Sequence, residues 1–200
     1  MKNVLKLGLL LLLLVSCKDT NQAKAMESVI DEVIGNNSAI NEKYDLLLEE
    51  LGTKTLLTDD QLLQAYPKKL GTLNFDSKEP RITPSETVIG TFGDNAIRMQ
   101  LLDGGGANAV AAVLPLKMLH LNKVTSENNN TIRYSKKERN GIFTFGTDYD
   151  KDGQGDYQSD LSFLYDNRFY ITLQGKGMNT DELWAAIKLD DFKRFKEFNN

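Results

Sequence analysis

The stretch that decides the fold is residues 157–174, which read YQSDLSFLYDNRFYITLQ. Apolar side chains occupy every second position on both sides of Asp166-Asn167: Leu161, Phe163 and Tyr165 before it, and Phe169, Ile171 and Leu173 after it. A period of two places these side chains on one face of a β-strand, and Asp and Asn are typical turn residues. The stretch therefore predicts two antiparallel strands, residues 157–165 and 168–174, joined in a hairpin with one buried face.

Two further hairpins are predicted upstream. Residues 86–92 and 96–102 flank Gly-Asp-Asn, and residues 131–135 and 142–149 flank Asn-Gly. Asn-Gly is typical of the tight turns that connect antiparallel strands. Because the chain shows no series of parallel βαβ units, these hairpins predict an antiparallel sheet.

Helices are predicted before, between and after the hairpins. Apolar residues recur three and four positions apart at 26–34, 38–51, 59–66, 107–119 and 180–187, with a last helical turn at 190–198. Pro115 lacks a backbone N–H, so we expect it to kink or divide the 107–119 helix. The predicted fold class is α+β, with N-terminal helices followed by an antiparallel β-sheet and packed helices.

The first seventeen residues predict export. Lys2 and Lys6 precede an apolar run at 7–15, which is too short to cross a bilayer and is typical of a secretory signal. Leu14-Val15-Ser16-Cys17 then resembles the lipobox of bacterial lipoproteins, in which a branched, a tolerant and a small residue precede a cysteine. The resemblance implies cleavage before Cys17, diacylglycerol on its sulfur and acylation of the new amino group.

This reading divides the chain into four segments. They are a signal peptide (1–16), the lipidated Cys17 with a short tether (17–25), a helical N-terminal segment (26–70) and an α+β domain (71–200). The protein is expected in the cell envelope, with the membrane as a partner through Cys17 and another envelope protein as a further candidate. Lys18, rather than Asp, after the cysteine favours the outer membrane, while periplasmic and surface-facing orientations both stay open.

Charge and cysteine content exclude some function classes. Cleavage would leave 22 basic and 28 acidic side chains, a formal net charge of −6 without a prominent basic cluster. This balance argues against nucleic acid as a partner. Cys17 is the single cysteine, so the folded domain has no disulfide and must rely on burial for its stability.

The most site-like stretch is 148–156, where the pattern of an EF-hand calcium loop occurs in part. Its candidate ligands are Asp148, Asp150, Asp152, Gln154 and Asp156, with Gly153 at the bend. The pattern departs at position 12, which is Ser159, and at position 8, which is Gly155. Two interpretations stay open: a weak Ca²⁺ site, or a polar hairpin turn that needs no metal. No cofactor is required in either case.

No catalytic motif stands out. His120 is the only histidine and is expected at a helix end, and no nucleophile motif accompanies it. Asp103 and the three glycines after it lack the Lys-Ser/Thr of a phosphate-binding loop and predict a flexible connection. Tyr157, Tyr165, Tyr170 and Trp184 could line a sugar-stacking face, but core packing is expected of them. The predicted function is a non-enzymatic binding or interaction domain, and the alternative is a hydrolase that uses Asp and Glu carboxylates.

The order of features from residue 60 to 198 resembles a family of uncharacterised exported bacterial proteins. The shared motifs are Leu62-Leu63, Tyr66-Pro67, Leu70-Gly71, Leu102-Asp103-Gly104-Gly105, Asn167-Arg168-Phe169, Gly175, Glu182-Leu183 and Leu189-Asp190. The resemblance implies an intact α+β domain. It implies no activity and no site residues.

Overall fold

A computed structural model describes residues 37–122, 126–128, 132–150 and 157–199. The helices are α1 (Ser38–Thr53), α2 (Asp59–Ala65), α3 (Ala109–Leu121), α4 (Thr180–Ala186) and α5 (Lys193–Lys196), with 3₁₀ turns at Gly106–Asn108 and Leu189–Phe192. The strands are β1 (Lys69–Leu70), β2 (Leu73–Asn74), β3 (Arg81–Ile82), β4 (Thr87–Phe92), β5 (Ile97–Asp103), β6 (Ser126–Asn128), β7 (Ile132–Arg139), β8 (Ile142–Tyr149), β9 (Ser159–Tyr165) and β10 (Phe169–Gly175). The predicted signal peptide, Cys17, the tether and the predicted helix at 26–34 lie outside these residues.

Local sequence explains where the first helices begin. The side chain of Asn37 accepts a hydrogen bond from the backbone N–H of Ile40 and caps α1. Thr58 and Gln61 form a reciprocal capping box at the start of α2, as the sequence predicts. Both helices then turn apolar side chains toward the sheet domain.

One antiparallel sheet organises the described chain. Its eight strands in these residues follow the order β3-β4-β5-β10-β9-β8-β7-β6, and β1 and β2 form a separate small hairpin. The fold is α+β, which confirms the predicted class. All three predicted hairpins are present, and β10 of the third hairpin lies between β9 and β5.

The pairing register assigns the side chains to two faces. Ile171 lies opposite both Leu101 and Phe163, and these residues belong to face 1. Thr172 lies opposite both Gln100 and Ser162, and these residues belong to face 2. Strands β5, β9 and β10 alternate strictly between buried and partly exposed positions, so face 1 is the more deeply buried one.

Face 1 supports the larger core, which we call the first core. Helix α2, helix α4 and the C-terminal turns pack against it. Its fully buried members include Leu62, Tyr66, Phe163, Ile171, Leu183, Phe192 and Phe195. Helix α2 and the sheet therefore share this core.

Face 2 supports the second core, which α1 and α3 build. Tyr44 and Leu51 of α1 pack with Val113 and Leu116 of α3. These helices contact the part of face 2 that carries Phe143, Phe145, Leu164 and Tyr170.

Helix α3 excludes one of the two effects expected of Pro115, a division of the helix. The helix runs undivided from Ala109 to Leu121 with Pro115 inside it. The carbonyl that loses its usual partner belongs to Ala111, four residues earlier, and Ala111 is exposed. Water can therefore replace the missing hydrogen bond, while the rest of α3 is held by burial.

Candidate functional site

Beyond the second core, face 2 carries polar side chains in two rows that cross the sheet. The first row contains Thr91, Arg98, Gln174, Asp160, Thr147 and Tyr134. The second row contains Gln100, Thr172 and Ser162. All of these side chains are partly exposed. We call these two rows the polar face. Polar residues across the middle of a sheet contribute little to a core, so this surface is the first candidate for binding.

The polar face is internally hydrogen-bonded. The guanidinium of Arg98 donates to Gln174 Oε1 over 3.4 Å, and Gln174 Nε2 donates to Asp160 Oδ1 over 2.8 Å. The hydroxyls of Ser162 and Thr172 are 3.1 Å apart. Because every link joins neighbouring strands of one rigid sheet, these groups are held in fixed positions before any ligand arrives.

Tyr149 extends this network to β8. Burial raises the pKa of the Tyr149 hydroxyl, and the hydrogen bond to Asp160 and the negative charge of that carboxylate raise it further. The phenol therefore stays protonated at neutral pH and serves Asp160 as a donor. Arg98 and Asp160 are the charged members of the two rows.

Arg98 is positioned by an aromatic ring and an amide rather than by an acid. Its guanidinium carbon lies 4.6 Å from the centre of the Tyr157 ring, within cation–π distance. The Tyr157 hydroxyl in turn donates to the side chain of Asn95. Among the described residues, no carboxylate forms an ion pair with Arg98. A guanidinium has five N–H donors, so Arg98 keeps donors that face the partly exposed surface.

A groove of about 360 Å³ opens beside Arg98. It is lined by Phe75, Ser77, Glu79, Arg81, Ile89, Gly90, Thr91, Arg98 and Gln100. Its volume falls at the lower end of the range for small-molecule sites. Arg81 is exposed and, in the part of the chain that the structure describes, it also has no acidic partner. The groove thus brings together hydroxyl and amide groups and two guanidinium groups that have no carboxylate partner among the described residues.

The structure confirms the expected position of His120 at a helix end, where its contacts are those of a packed side chain. It lies in the last turn of α3, where its Nδ1 is 3.0 Å from the Tyr44 hydroxyl and its ring stacks on Phe143 at 4.1 Å. Burial lowers the pKa of His120, and the charges of Lys43 and Lys136 lower it further. A neutral imidazole in the second core suits packing.

The predicted calcium ligands are only partly described. Asp152, Gln154 and Asp156 lie outside the described residues, as does the lipidation site Cys17. Asp148 accepts hydrogen bonds from the backbone N–H of Thr180 over 2.7 Å and from the Thr180 hydroxyl over 3.4 Å, which ties β8 to the start of α4. Within the described ranges, no three His, Cys, Asp or Glu side chains are grouped to hold a metal ion. The calcium loop stays a prediction.

The aromatic residues considered for sugar stacking belong to the cores. Trp184 packs edge-on against Phe163 at 5.4 Å, and Tyr165 packs against Phe192 at 5.5 Å. Tyr170 packs into the second core. Tyr157 is also buried, but it has a different role, because its ring orients the guanidinium of Arg98.

A buried ion pair is the feature that the sequence reasoning missed. Arg168 Nε lies 2.6 Å from Asp103 Oδ1 and Arg168 Nη2 lies 2.8 Å from Asp103 Oδ2, with both side chains 2% exposed. Asp103 also accepts from the backbone N–H groups of Leu57 and Gly105, and Arg168 donates to the carbonyl of Thr55. The signal was present, since Asp103 continues the buried alternation of β5 and Arg168 directly precedes β10.

The same pair corrects the expectation of a flexible connection after β5. Gly104 and Gly105 are buried, and a side chain at Gly104 would come within 2.5 Å of the carbonyl oxygen of Arg168. The glycines are therefore required by close packing around the ion pair. Because its partners are already satisfied and enclosed, this pair is structural and offers no binding site.

Comparisons with family models, with curated proteins and with solved structures find no match for this chain. Among the described residues, no helix combines the length and apolar character needed to cross a membrane. The function therefore has to be argued from the chemistry of the polar face.

Proposed function

We propose that the protein is a lipid-anchored domain of the bacterial cell envelope that binds a ligand on the polar face of its sheet and performs no catalysis. The observation that carries the binding role is the network Arg98–Gln174–Asp160–Tyr149, which crosses four adjacent strands on a partly exposed surface. Lys18 after the cysteine favours the outer membrane as the anchored location.

The energetics of the network support a binding role. A half-buried polar group that is not fully hydrogen-bonded lowers stability, and an apolar residue in its place would extend the second core across face 2. Arg98 lowers stability in this way, because its described contacts are one long hydrogen bond to Gln174 and the ring of Tyr157. A cost of this kind is understandable where a ligand completes the hydrogen bonds.

The hydrolase alternative has weaker support. Glycosidases of the usual type need two carboxyl groups facing each other across the bond that breaks. Asp160 is the carboxylate of the polar face, and Gln174 and Tyr149 already donate to it. These hydrogen bonds fix the orientation of Asp160, and among the described residues the polar face provides no acid–base pair.

The anchoring part of the proposal is tested at Cys17. Cys17→Ala should abolish incorporation of a labelled fatty acid, because the sulfur that carries the diacylglycerol is lost. Lys18→Ala is the matched control and should keep the label. A Cys17→Ala protein that still carries fatty acid would contradict lipid anchoring.

The binding part is tested by site-specific crosslinking in intact cells. A photoreactive amino acid replaces either Gln100 on the polar face or Ala185, which is exposed on α4 at the opposite side of the sheet. Position 100 should give adducts of discrete mass and position 185 should not. Equal adducts at both positions, or none at position 100, would contradict a binding role for this face.

A further inference from the structure

We propose that the groove beside Arg98 recognises an oxyanion, a phosphate or carboxylate group carried by the ligand, with Arg98 and Arg81 as its two charged contacts. This inference rests on the proposed function and adds the chemical class of the ligand. It follows from where the register places the two arginines, from the charge of the groove and from the lack of acidic partners in the described part of the chain.

The register places both guanidinium groups within reach of one ligand. Arg81 lies opposite Ile89, and Ile89 lies opposite Gln100, so Arg81 belongs to face 2 as Arg98 does. Their Cα atoms are two strands and one side-chain repeat apart, which corresponds to about 12 Å. Each arginine side chain is long enough to span half of that distance, and both arginines line the same groove.

The charge of the groove is opposite to that of the whole chain. Arg81 and Arg98 contribute two positive charges against the single negative charge of Glu79, while the chain carries a formal net charge of −4. A positive groove on an acidic protein attracts anions locally, since fields from distant acids are screened within about 10 Å at ordinary ionic strength. Charge complementarity therefore selects an anionic ligand group over a neutral or cationic one.

The surroundings of Arg98 leave part of its guanidinium open to an oxyanion. Tyr157 holds one side of the planar guanidinium, and the Gln174 amide engages one nitrogen. The remaining N–H donors are available for the two-pronged contact that arginine makes with carboxylate and phosphate. Thr91 and Gln100 add neutral polar groups at the groove wall.

The test uses the full-length protein, purified from membranes in a non-ionic detergent, and titrates it calorimetrically with inorganic phosphate and separately with acetate. Arg98→Gln should weaken binding of the preferred anion on the order of tenfold, because a charge-assisted hydrogen bond is lost. The affinity of Arg98→Lys should fall between those of the unsubstituted protein and Arg98→Gln, because lysine keeps the positive charge and lacks the planar guanidinium. Arg194→Gln removes an exposed arginine of α5 and should leave binding unchanged.

The outcomes separate this inference from the proposed function. Tighter binding of phosphate or of acetate assigns the group, and loss of affinity in Arg98→Gln and Arg81→Gln at an unchanged melting temperature supports the groove. Equal affinity in all variants would mean an adventitious ion only and would overturn it, as would no saturable binding. Crosslinks from position 100 without anion binding would overturn the ligand class and leave the binding role standing. Failure of both would overturn both.

Discussion

At the scale of single residues, Arg98 and Arg168 show how environment decides the role of one side-chain type. Arg168 is buried with a two-pronged carboxylate partner and further backbone partners, so its charge is fully compensated. Arg98 is half-buried with an amide and a ring. The sequence places both beside apolar strand residues and cannot distinguish them, because their partners lie 65 and 76 residues away along the chain.

The buried pair leads to a stability prediction. Asp103→Asn should lower the free energy of unfolding by about 3–5 kcal/mol, because it leaves the Arg168 charge buried without compensation. Urea unfolding monitored by circular dichroism measures this change. Glu50→Gln, which alters a partly exposed ion pair with Lys54 at 4.0 Å, is the matched control and should change stability by less than about 1 kcal/mol. Similar effects of the two substitutions would show that the Asp103 pair is not the structural tie described above.

At the scale of elements, turn chemistry made the hairpins predictable. Asp166 and Asn167 have φ angles of 53° and 54°, and Asn140 and Gly141 have φ angles of 52° and 78°. Two successive positive φ angles are what a tight hairpin turn requires, and Asn, Asp and Gly tolerate them best. The capping box at Thr58 and the apolar periodicity placed α1, α2 and α4 for the same reason, since these signals are local.

Arrangements that depend on distant pairing were not predictable from the sequence. The place of β10 between β5 and β9 is set by contacts across more than sixty residues, and no local pattern encodes it. The packing of helices on both faces is equally nonlocal. The alternation within β5 places Arg98 on the face opposite Ile97, Met99 and Leu101. The network that Arg98 joins depends on distant strands, so the sequence did not predict it.

The undivided helix α3 shows packing overriding local preference. Proline inside a helix costs about 3 kcal/mol relative to alanine. In α3 the side chains of Ala112, Val113, Leu116 and Leu121 are buried, and their contacts offset that cost. The sequence therefore identified the element, and of the two effects expected of Pro115, a kink or a division, the structure excludes the division.

At the scale of the whole molecule, one sheet couples two cores. Strand β9 contributes Leu161 and Phe163 to the first core and Leu164 to the second, and β10 likewise contributes Ile171 and Tyr170. The two cores therefore cannot separate without breaking the central strands. Such coupling is the physical basis of a single cooperative unfolding transition.

The single tryptophan makes this coupling measurable. Trp184 packs against the first core, so its fluorescence reports that side of the sheet, whereas far-ultraviolet circular dichroism reports every element. Leu116→Ala in the second core should lower stability by about 2–5 kcal/mol, as should Leu173→Ala in the first. In both variants we expect the two signals to give the same urea midpoint and slope. If Leu116→Ala moved the dichroism transition while the fluorescence transition stayed in place, the second core would unfold on its own. The polar face, which lies on face 2 of the central strands that both cores share, would then lose the rigid support that the binding proposal assumes.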